Sequence, residues 1–303
     1  MNELLATSIE QGLIFSVLAM GVFLTYKILD IADLSVEGTY PLGAFVFARF
    51  ILAGHGPVLS MIWAFAAGTL AGLLTAFLFT KLKITPLLSG ILTMTILYSV
   101  NLRVNGKSNV PLYSAATLYD YGPVLVVLAI LVLVLKVLLD RFLKTEKGYL
   151  LIATGDNETL VRSLGQNSDS YKMMGVMLSN GLAAMSGALM AQSNGFADIT
   201  MGNSIIVIAL ASIIIGDSIL KNSQKIRLTT RSIWGAVIYR IIGGFAIDLG
   251  LDARDLKMIS AVIVILFLSY NEFSGKLFHK KRRGRNQHGA DDQELVQKLQ
   301  SKY

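Results

Sequence analysis

Long stretches without charged side chains recur along the chain and limit what it can fold into. Apolar segments lie at about 9–29, 41–53, 58–80, 86–101, 122–140, 172–193, 203–220, 231–247 and 255–271. A helix that crosses a bilayer needs about 20 mostly apolar residues. The segment 41–53 is too short to span alone, so we expect half of a broken helix or a re-entrant piece there. The sequence predicts an all-α polytopic membrane protein with about nine transmembrane or re-entrant segments.

The composition supports a membrane protein and excludes several other classes. Of 303 residues, 53% are hydrophobic and 16% charged, and the mean hydropathy is +0.59. A soluble domain carries roughly 25% charged residues, so a soluble fold would lack the polar surface to cover its core. The absence of cysteine excludes disulfides, thiolate metal sites and thiol nucleophiles. The three histidines are scattered, so we expect no catalytic residues, no metal and no other cofactor.

The uneven distribution of Lys and Arg among the loops predicts the orientation of the chain. The stretches 81–85, 141–172 and 221–231 and the C-terminal tail are rich in basic residues. The alternating stretches 102–121, 194–202 and 248–256 hold only Arg103, Lys107 and Arg254. Cytoplasmic loops are enriched in Lys and Arg. With nine crossings, we therefore expect the N-terminus outside and the C-terminus in the cytoplasm.

A basic tail follows the last apolar segment and includes the run KKRRGR at 280–285. Such a cluster can bind nucleic acid, but directly after a membrane segment it favours contact with anionic lipids. We therefore divide the chain into a transmembrane domain, residues 1–275, and a basic cytoplasmic tail, residues 276–303. The expected partner of the tail is anionic lipid and not nucleic acid.

Two short segments in different halves of the chain resemble each other. IADLSVEG at 31–38 is similar to FADITMG at 196–202, and each follows a segment rich in small residues. In the predicted topology the two preceding helices cross in opposite directions, which is typical of an inverted repeat. Discontinuous segments at matching places of such repeats mark the substrate route in transporters. The polar residues expected along that route are Asp33, Ser35, Glu37, Asp198 and Thr200, with Asn101 and Asn203 as further candidates.

Two sets of residues along this expected route have a second interpretation. Asp33 is equally compatible with a loop carboxylate at the cytoplasmic end of the first helix. Met94, Tyr98 and Met201 are candidates for apolar walls of the route. Met and Tyr at helical spacing more often belong to a core.

The basic loop 141–171 contains a short segment, 155–165, with the capping signals of a helix. Asp and Asn are residue types that cap helix N-termini, and Gly favours the left-handed conformation that ends a helix. A capped helix with an apolar stripe in a cytoplasmic loop indicates a docking partner; packing on the chain's own membrane domain is the alternative. The residues assigned to this element are Gly155, Asp156, Asn157 and Glu158 at its start, the exposed apolar residues Leu160, Val161 and Leu164, and Gly165 at its end.

Several motifs in the same order resemble permeases for ribose, other sugars and branched-chain amino acids. The stretch 30–38 looks like the family's IDLSVG region, although Glu37 interrupts the usual Val-Gly pair. The stretch 146–167 looks like its G-x-x-L-R-A-x-G-x-N region, which is the coupling helix in ATP-binding-cassette importers of this type. The runs 106–111 and 179–192 are similar to a subgroup that works with a lipoprotein receptor for tryptophan or tyrosine.

This resemblance implies a type II importer-like fold and a role in transport. The chain would form the translocation path for an amino acid, with tryptophan or tyrosine favoured, delivered by a binding lipoprotein or periplasmic protein. A separate ATPase subunit would hydrolyse ATP, and two such subunits need two docking sites, which implies a homodimer in a bacterial plasma membrane. Transport of a sugar, nucleoside or branched-chain amino acid is an alternative, as is an ion-coupled secondary carrier, which would not need the segment 155–165.

Overall fold

The structure is a computed structural model that describes residues 2–220 and 227–248 and five single positions between 258 and 269. Its helices are α1 (Asn2–Phe23), α2 (Val36–Leu52), α3 (Pro57–Thr80), α4 (Pro86–Asn105), α5 (Val124–Phe142), α6 (Glu146–Asp156), α7 (Glu158–Ser163), α8 (Ser168–Asn194), α9 (Ile205–Ile219) and α10 (Leu228–Asp248). A π-helical turn, Leu24–Ile28, continues α1, and 3-10 turns lie at Leu118–Tyr121 and Ile199–Gly202. Two three-residue strands, β1 (Asn109–Pro111) and β2 (Phe196–Asp198), pair antiparallel, with Val110 opposite Ala197.

The predominance of helix agrees with the predicted all-α membrane protein. Five described helical stretches are long and apolar enough to cross a membrane: Leu5–Ile28, Pro57–Thr80, Pro86–Asn105, Ser168–Asn194 and Ile199–Ile219. The predicted count of about nine segments stays a prediction. The last predicted segment, 255–271, lies mostly outside the described residues, and the basic tail, 276–303, lies entirely outside them.

Helix α8 lies at the centre of the bundle and is the most buried of these stretches. Small residues let three neighbours approach its backbone: Gly21 of α1, Gly43 of α2 and Gly68 of α3 each lie where an added Cβ would overlap α8. Small residues at such contacts permit the close packing on which helix association in membranes depends. Helices α9 and α10 pack together and against α1, and α4 packs on α2 and α3.

The short apolar segment 41–53 forms most of α2, which begins at Val36, five residues before the apolar run. Its 17 residues span about 25 Å at 1.5 Å per residue. The side chains of Tyr40, Phe45 and Phe47 are almost fully buried. This helix therefore lies inside the bundle and follows an irregular break between residues 29 and 35.

The connections between helices collect at two ends of the bundle. The pairing of β1 with β2 brings 106–121 and 195–204 together, and we call this the sheet end. At the basic end, which comprises 81–85 and 143–167 together with Leu220 and Arg227, Lys83 lies 3.9 Å from Asp169 and Arg227 lies 2.7 Å from Asp140. Loops that the charge pattern assigns to one side thus lie at one end. Which end faces the cytoplasm stays a prediction.

Candidate functional site

The short helix expected in the basic loop is present as α7. Asn157 caps it, because its Oδ1 accepts a hydrogen bond from the Leu160 backbone N–H at 3.0 Å. Gly165 has a φ of +74°, the left-handed conformation that favours glycine at a helix end. The predicted segment, 155–165, begins three residues before α7 and ends two residues after it.

The apolar face of α7 is smaller than predicted. Leu160 is 51% and Leu164 62% exposed, whereas Val161 is fully buried. The prediction that Val161 is exposed is wrong, because consecutive helical residues point in different directions while residues four apart share a face. Two exposed leucines one turn apart therefore form the free apolar surface, and Val161 anchors the helix.

Gly155 and Asp156 belong to the preceding helix, α6, and not to α7. A Cβ on Gly155 would overlap the carbonyl oxygen of Ile28, so this glycine allows α6 to pack against the end of the first membrane helix. Helix α6 was not predicted from the sequence. The sequence feature that indicates this helix is Thr145, whose hydroxyl caps it by accepting a hydrogen bond from the Gly148 N–H at 3.2 Å.

Charged contacts fix α7 to the start of α8. The Glu158 carboxylate lies 2.6 Å from Lys172 Nζ and 2.5 Å from the Arg162 guanidinium, and it accepts a hydrogen bond from Ser168 at 2.9 Å. The hydrogen bond from Lys172 is the main cause that lowers the pKa of Glu158 to about 2. These contacts join α7 to the first two turns of the central helix.

A cavity of about 440 Å³ lies between α2, α4 and the 3-10 turn Ile199–Gly202. Its volume falls within the range of about 300–1,000 Å³ that is usual for small-molecule sites. It is lined by Glu37, Gly38, Pro41, Met94, Thr95, Tyr98, Ser99, Asn101, Ile199 and Asn203. The structure thus brings together Glu37, Asn101 and Asn203 of the expected route and two of the expected wall residues, Met94 and Tyr98. Met201 packs against the core instead.

Asn101 supplies a buried polar group at the wall of this cavity. Its side chain is fully buried, and its Nδ2 donates to the Gly38 carbonyl at 3.2 Å. Its Oδ1 has no hydrogen-bond partner among the described residues. Because a buried acceptor without a partner costs about 1–3 kcal/mol, this oxygen favours a donor from a bound molecule.

Asp33 and Ser35 lie in a buried network with α8 and do not line the cavity. Ser35 Oγ donates to Asp33 Oδ1 at 2.5 Å, and Asn180 Nδ2 donates to Asp33 Oδ2 at 2.8 Å. Thr39 Oγ1 donates to Asn180 Oδ1 at 2.7 Å. Asp33 is 3% exposed, so it is not a solvated loop carboxylate either. These residues attach the start of α2 to the central helix.

Asp198 and Thr200 lie at the sheet end, outside the cavity lining. Asp198 Oδ1 accepts from the Thr200 backbone N–H at 2.8 Å and from its hydroxyl at 2.5 Å. Asp33 and Ser35 form the same pair of bonds, at 2.9 and 2.5 Å. The two similar sequence segments therefore share one local turn, while the inverted repeat as a whole stays a prediction.

A family model described as branched-chain amino acid transport system, permease component, matches residues 4–269. The chain belongs to this permease family. A tyrosine transport system permease protein of Clostridioides difficile is 47% identical to the permease over 86% of this chain and 88% of that protein. An uncharacterised protein of Rickettsia prowazekii is 37% identical over 88% and 97% of the two chains. The autoinducer 2 import system permease protein LsrC of Yersinia pestis is 26% identical over 86% and 70%.

Family membership and the apolar helices together make the permease a multi-pass membrane component of a transport system. Two residues of its buried polar network, Thr39 and Asn180, were not predicted from the sequence. The available signal was an amide in the middle of an apolar segment, since polar side chains at such positions usually bond across helices.

Proposed function

We propose that the permease forms the translocation path of an ATP-driven importer for an aromatic amino acid, tyrosine or tryptophan. The similarity to a tyrosine transport system permease over most of both chains supports this substrate class. A separate ATPase subunit hydrolyses ATP, and an extracellular binding lipoprotein or periplasmic protein delivers the substrate to the sheet end. The permease itself carries out no catalysis.

The exposed face of α7 is the observation that carries the proposed ATPase contact. Leu160 and Leu164 present apolar side chains on a helix that Glu158 holds in place through Lys172. Exposed apolar surface on a rigid helix at the basic end is suited to a groove on a partner. In this proposal the helix enters such a groove on the ATPase.

A continuous set of contacts links the docking helix to the cavity. Glu158 joins α7 to α8 through Lys172, and Asn180 of α8 bonds Thr39 of α2. Glu37 of α2 then lines the cavity. ATP-driven movement of α7 therefore displaces a wall of the substrate route as a rigid unit, which opens it toward one side of the membrane or the other.

The residues expected along the route divide into three groups in this mechanism. Glu37, Asn101 and Asn203 contact the substrate in the cavity. Asp198 and Thr200 shape the entrance at the sheet end. The turn formed by Asp33 and Ser35 holds α2 on α8 and transmits the movement of the ATPase.

The proposed assembly is a homodimer in a bacterial plasma membrane, because two ATPase subunits require two copies of α7. The basic end faces the cytoplasm, as the positive charges of its loops favour. The N-terminus is then outside and the C-terminus inside. The basic tail, 276–303, contacts anionic lipids.

Pulldown of the ATPase tests the docking helix. The double variant Leu160→Asp/Leu164→Asp is expected to lose the co-expressed ATPase from the detergent-solubilised permease, because two carboxylates replace its apolar contact. The control is Leu82→Asp, which changes another exposed leucine at the basic end and should retain the ATPase. Equal retention by the double variant would move the interface away from α7. No binding by the wild type would instead favour an ion-coupled carrier.

Uptake of radiolabelled tyrosine by cells that express the complete system tests the substrate class. Excess unlabelled tryptophan is expected to reduce this uptake, whereas leucine and ribose leave it unchanged. Competition by leucine or ribose alone, or tyrosine uptake that does not depend on the permease, contradicts the aromatic substrate class.

A further inference from the structure

We propose that the substrate route continues from the cavity along the buried face of α4, where Ser89 and Thr93 form hydrogen bonds with the passing substrate. This part of the route is closed in the structure, and it opens when the half of α4 nearer the basic end moves away from α2 and α3. The inference deepens the proposed function, on which it rests, because it names two further residues of the route and the helix that closes it. The ligand is the amino acid zwitterion of that function.

Three polar side chains lie on the face of α4 that packs into the bundle, at spacings of four and eight residues. Ser89, Thr93 and Asn101 are all fully buried. Residues four apart share a face of a helix, and at 1.5 Å per residue the first and last of the three are about 18 Å apart. Asn101 lines the cavity, and Ser89 lies in the first turn, next to the basic end. Together they form a polar stripe that leads from the cavity toward the basic end.

The polar atoms of this stripe have no hydrogen-bond partners among the residues that the structure describes. They are the hydroxyls of Ser89 and Thr93 and the Oδ1 of Asn101. A buried hydroxyl on the neighbouring helix α3 behaves differently, since Thr75 donates to the carbonyl of Ala71 at 3.2 Å. Buried polar groups without partners are costly, above all in a membrane bundle. The stripe therefore favours a state in which water or substrate provides the partners.

Side-chain hydrogen bonds attach α4 to another helix at its sheet end. Asn101 Nδ2 donates to the Gly38 carbonyl at 3.2 Å, and Asn105 Nδ2 donates to the Phe45 carbonyl at 2.8 Å. Within the described part of the chain, residues 86–100 form no side-chain hydrogen bond or ion pair with another element. Helix α4 is also the least buried of the five stretches long enough to cross a membrane. Its half nearer the basic end can therefore move while the other half stays attached.

Backbone contacts at two glycines close the route beside the stripe. A Cβ on Gly90 would lie 2.8 Å from the Leu34 backbone nitrogen, and a Cβ on Gly38 would lie 2.9 Å from the Met94 Cα. At these two points α4 meets α2 and the break before it with no side chain between them. The contacts leave no space for a substrate, and their separation requires no side chain to leave a pocket.

The chemistry of the stripe is suited to a zwitterion that passes and is not retained. A hydroxyl can both donate and accept a hydrogen bond, so Ser89 and Thr93 can bond either an ammonium group or a carboxylate. None of the three side chains of the stripe carries a charge that would hold one end of the ligand. Passage along a route requires binding that is weak and shared among several sites.

Cysteine labelling tests the opening, because the sequence contains no cysteine and a thiol reacts as the thiolate. In cells that express the complete system, labelling of Thr93→Cys by N-ethylmaleimide is expected to rise about tenfold when tyrosine is added, as a minor open state becomes populated. Ser89→Cys is a second position with the same expectation. Thr75→Cys, at a buried position of α3, should stay unlabelled in both conditions. Equal labelling with and without tyrosine, or a similar rise for Thr75→Cys, would overturn the proposed opening.

The variant Thr93→Val tests the hydroxyl, because it keeps the branched shape of the side chain and removes the polar atom. The maximal rate of tyrosine uptake is expected to fall about fivefold, as for the loss of one hydrogen bond, whereas Thr93→Ser retains the wild-type rate. The melting temperature of Thr93→Val should not fall, since the hydroxyl has no partner to lose in the closed state. Thr75→Val is the control and should leave uptake unchanged. Unchanged uptake by Thr93→Val, or a loss that accompanies a lower melting temperature, would overturn the role of the hydroxyl.

Failure of this route is distinguishable from failure of the proposed function. If tyrosine uptake depends on the permease but tyrosine changes the labelling of neither Thr93→Cys nor Ser89→Cys, the route is wrong and the importer stands. If the permease supports no tyrosine uptake, the same labelling is compared between energised and ATP-depleted cells. A difference confined to these two variants then supports the opening without the substrate class, and equal labelling overturns it.

Discussion

Asn180 is the side chain at which the buried polar contacts of the bundle converge. It donates to Asp33 at 2.8 Å and accepts from Thr39 at 2.7 Å and from Ser35 at 3.1 Å. Buried polar groups are costly without partners, and inside a membrane bundle other helices must provide them. One amide therefore bonds two side chains of the break between α1 and α2 and one side chain in the first turn of α2.

Replacing this amide tests its contribution to stability. Asn180→Leu has a similar size but leaves the Asp33 carboxylate and two hydroxyls with one partner fewer, so we expect a loss of about 2 kcal/mol or more. Thermal unfolding of the purified protein, followed by tryptophan fluorescence, measures this loss. Asn194→Leu changes an exposed amide at the end of the same helix and should have little effect. Equal melting temperatures for the two variants would contradict the proposed role of Asn180.

The roles of residues that bond their near neighbours in the sequence were easier to predict than the roles of residues with distant partners. Asn157 and Gly165 were found because capping depends on the nearest few residues. Asp33 and Ser35 were predicted to lie along the substrate route, but the sequence does not reveal a partner 147 residues away from Asp33. It therefore did not distinguish a structural carboxylate from one that lines the cavity.

At the scale of the element, α7 owes its position to the ion pairs of Glu158. The pKa of Glu158 falls from 4.5 to about 2, mainly because Lys172 bonds the carboxylate. A depressed pKa stabilises the folded state above about pH 4.5, and this contribution is lost as the pH falls toward 2. Protonation of Glu158 is therefore expected to loosen α7.

Glu158→Gln reproduces the neutral form of this residue at neutral pH. Amide hydrogen exchange in α7 is expected to rise about threefold, which matches the small free energy of partly exposed ion pairs. Exchange in the centre of α8 should not change. The matched control, Glu146→Gln in the first turn of α6, should leave α7 unaffected. A rise in exchange throughout α8 would indicate general destabilisation and would contradict the proposal that Glu158 stabilises only α7.

The long apolar helices were predictable from the sequence, and α6 was not. A stretch of about 20 apolar residues has few alternatives to a membrane helix. Helix α6 has only 11 residues, and its stability depends on packing, since Leu151 is fully buried and Gly155 contacts the end of the first helix. Short isolated helices are marginal without such contacts, so its local sequence was a weak signal.

At the scale of the whole molecule, the two ends of the bundle differ in charge, which allows a test of orientation. Lys107 is exposed at the sheet end and Lys147 at the basic end. In intact cells, a membrane-impermeant maleimide is expected to label Lys107→Cys, and Lys147→Cys only after permeabilisation. The cysteine-free parent protein is the control for background labelling. The reverse pattern would place the basic end outside and exclude α7 as the contact for a cytoplasmic ATPase.

The grouping of loops at two ends followed from the sequence, but the packing of helices did not. Basic residues lie in every loop of one end, so charge alone assigns these loops to one side. The central position of α8 depends on Gly21, Gly43 and Gly68 of three other helices. Most helices of this chain contain small residues, so composition does not indicate which of them meet.

The distance in sequence between Asp33 and Asn180 also sets the order of assembly during synthesis. A ribosome adds about 5–20 residues per second, so roughly 7–30 s separate the appearance of the two residues. Throughout this interval the Asp33 carboxylate and the hydroxyls of Ser35 and Thr39 lack the Asn180 amide as a partner. Helix α2 reaches its final place only when α8 enters the bundle. A nascent chain that stops before α8 therefore keeps the local bonds among Asp33, Ser35 and Thr39 but lacks the amide that ties them to the rest of the bundle.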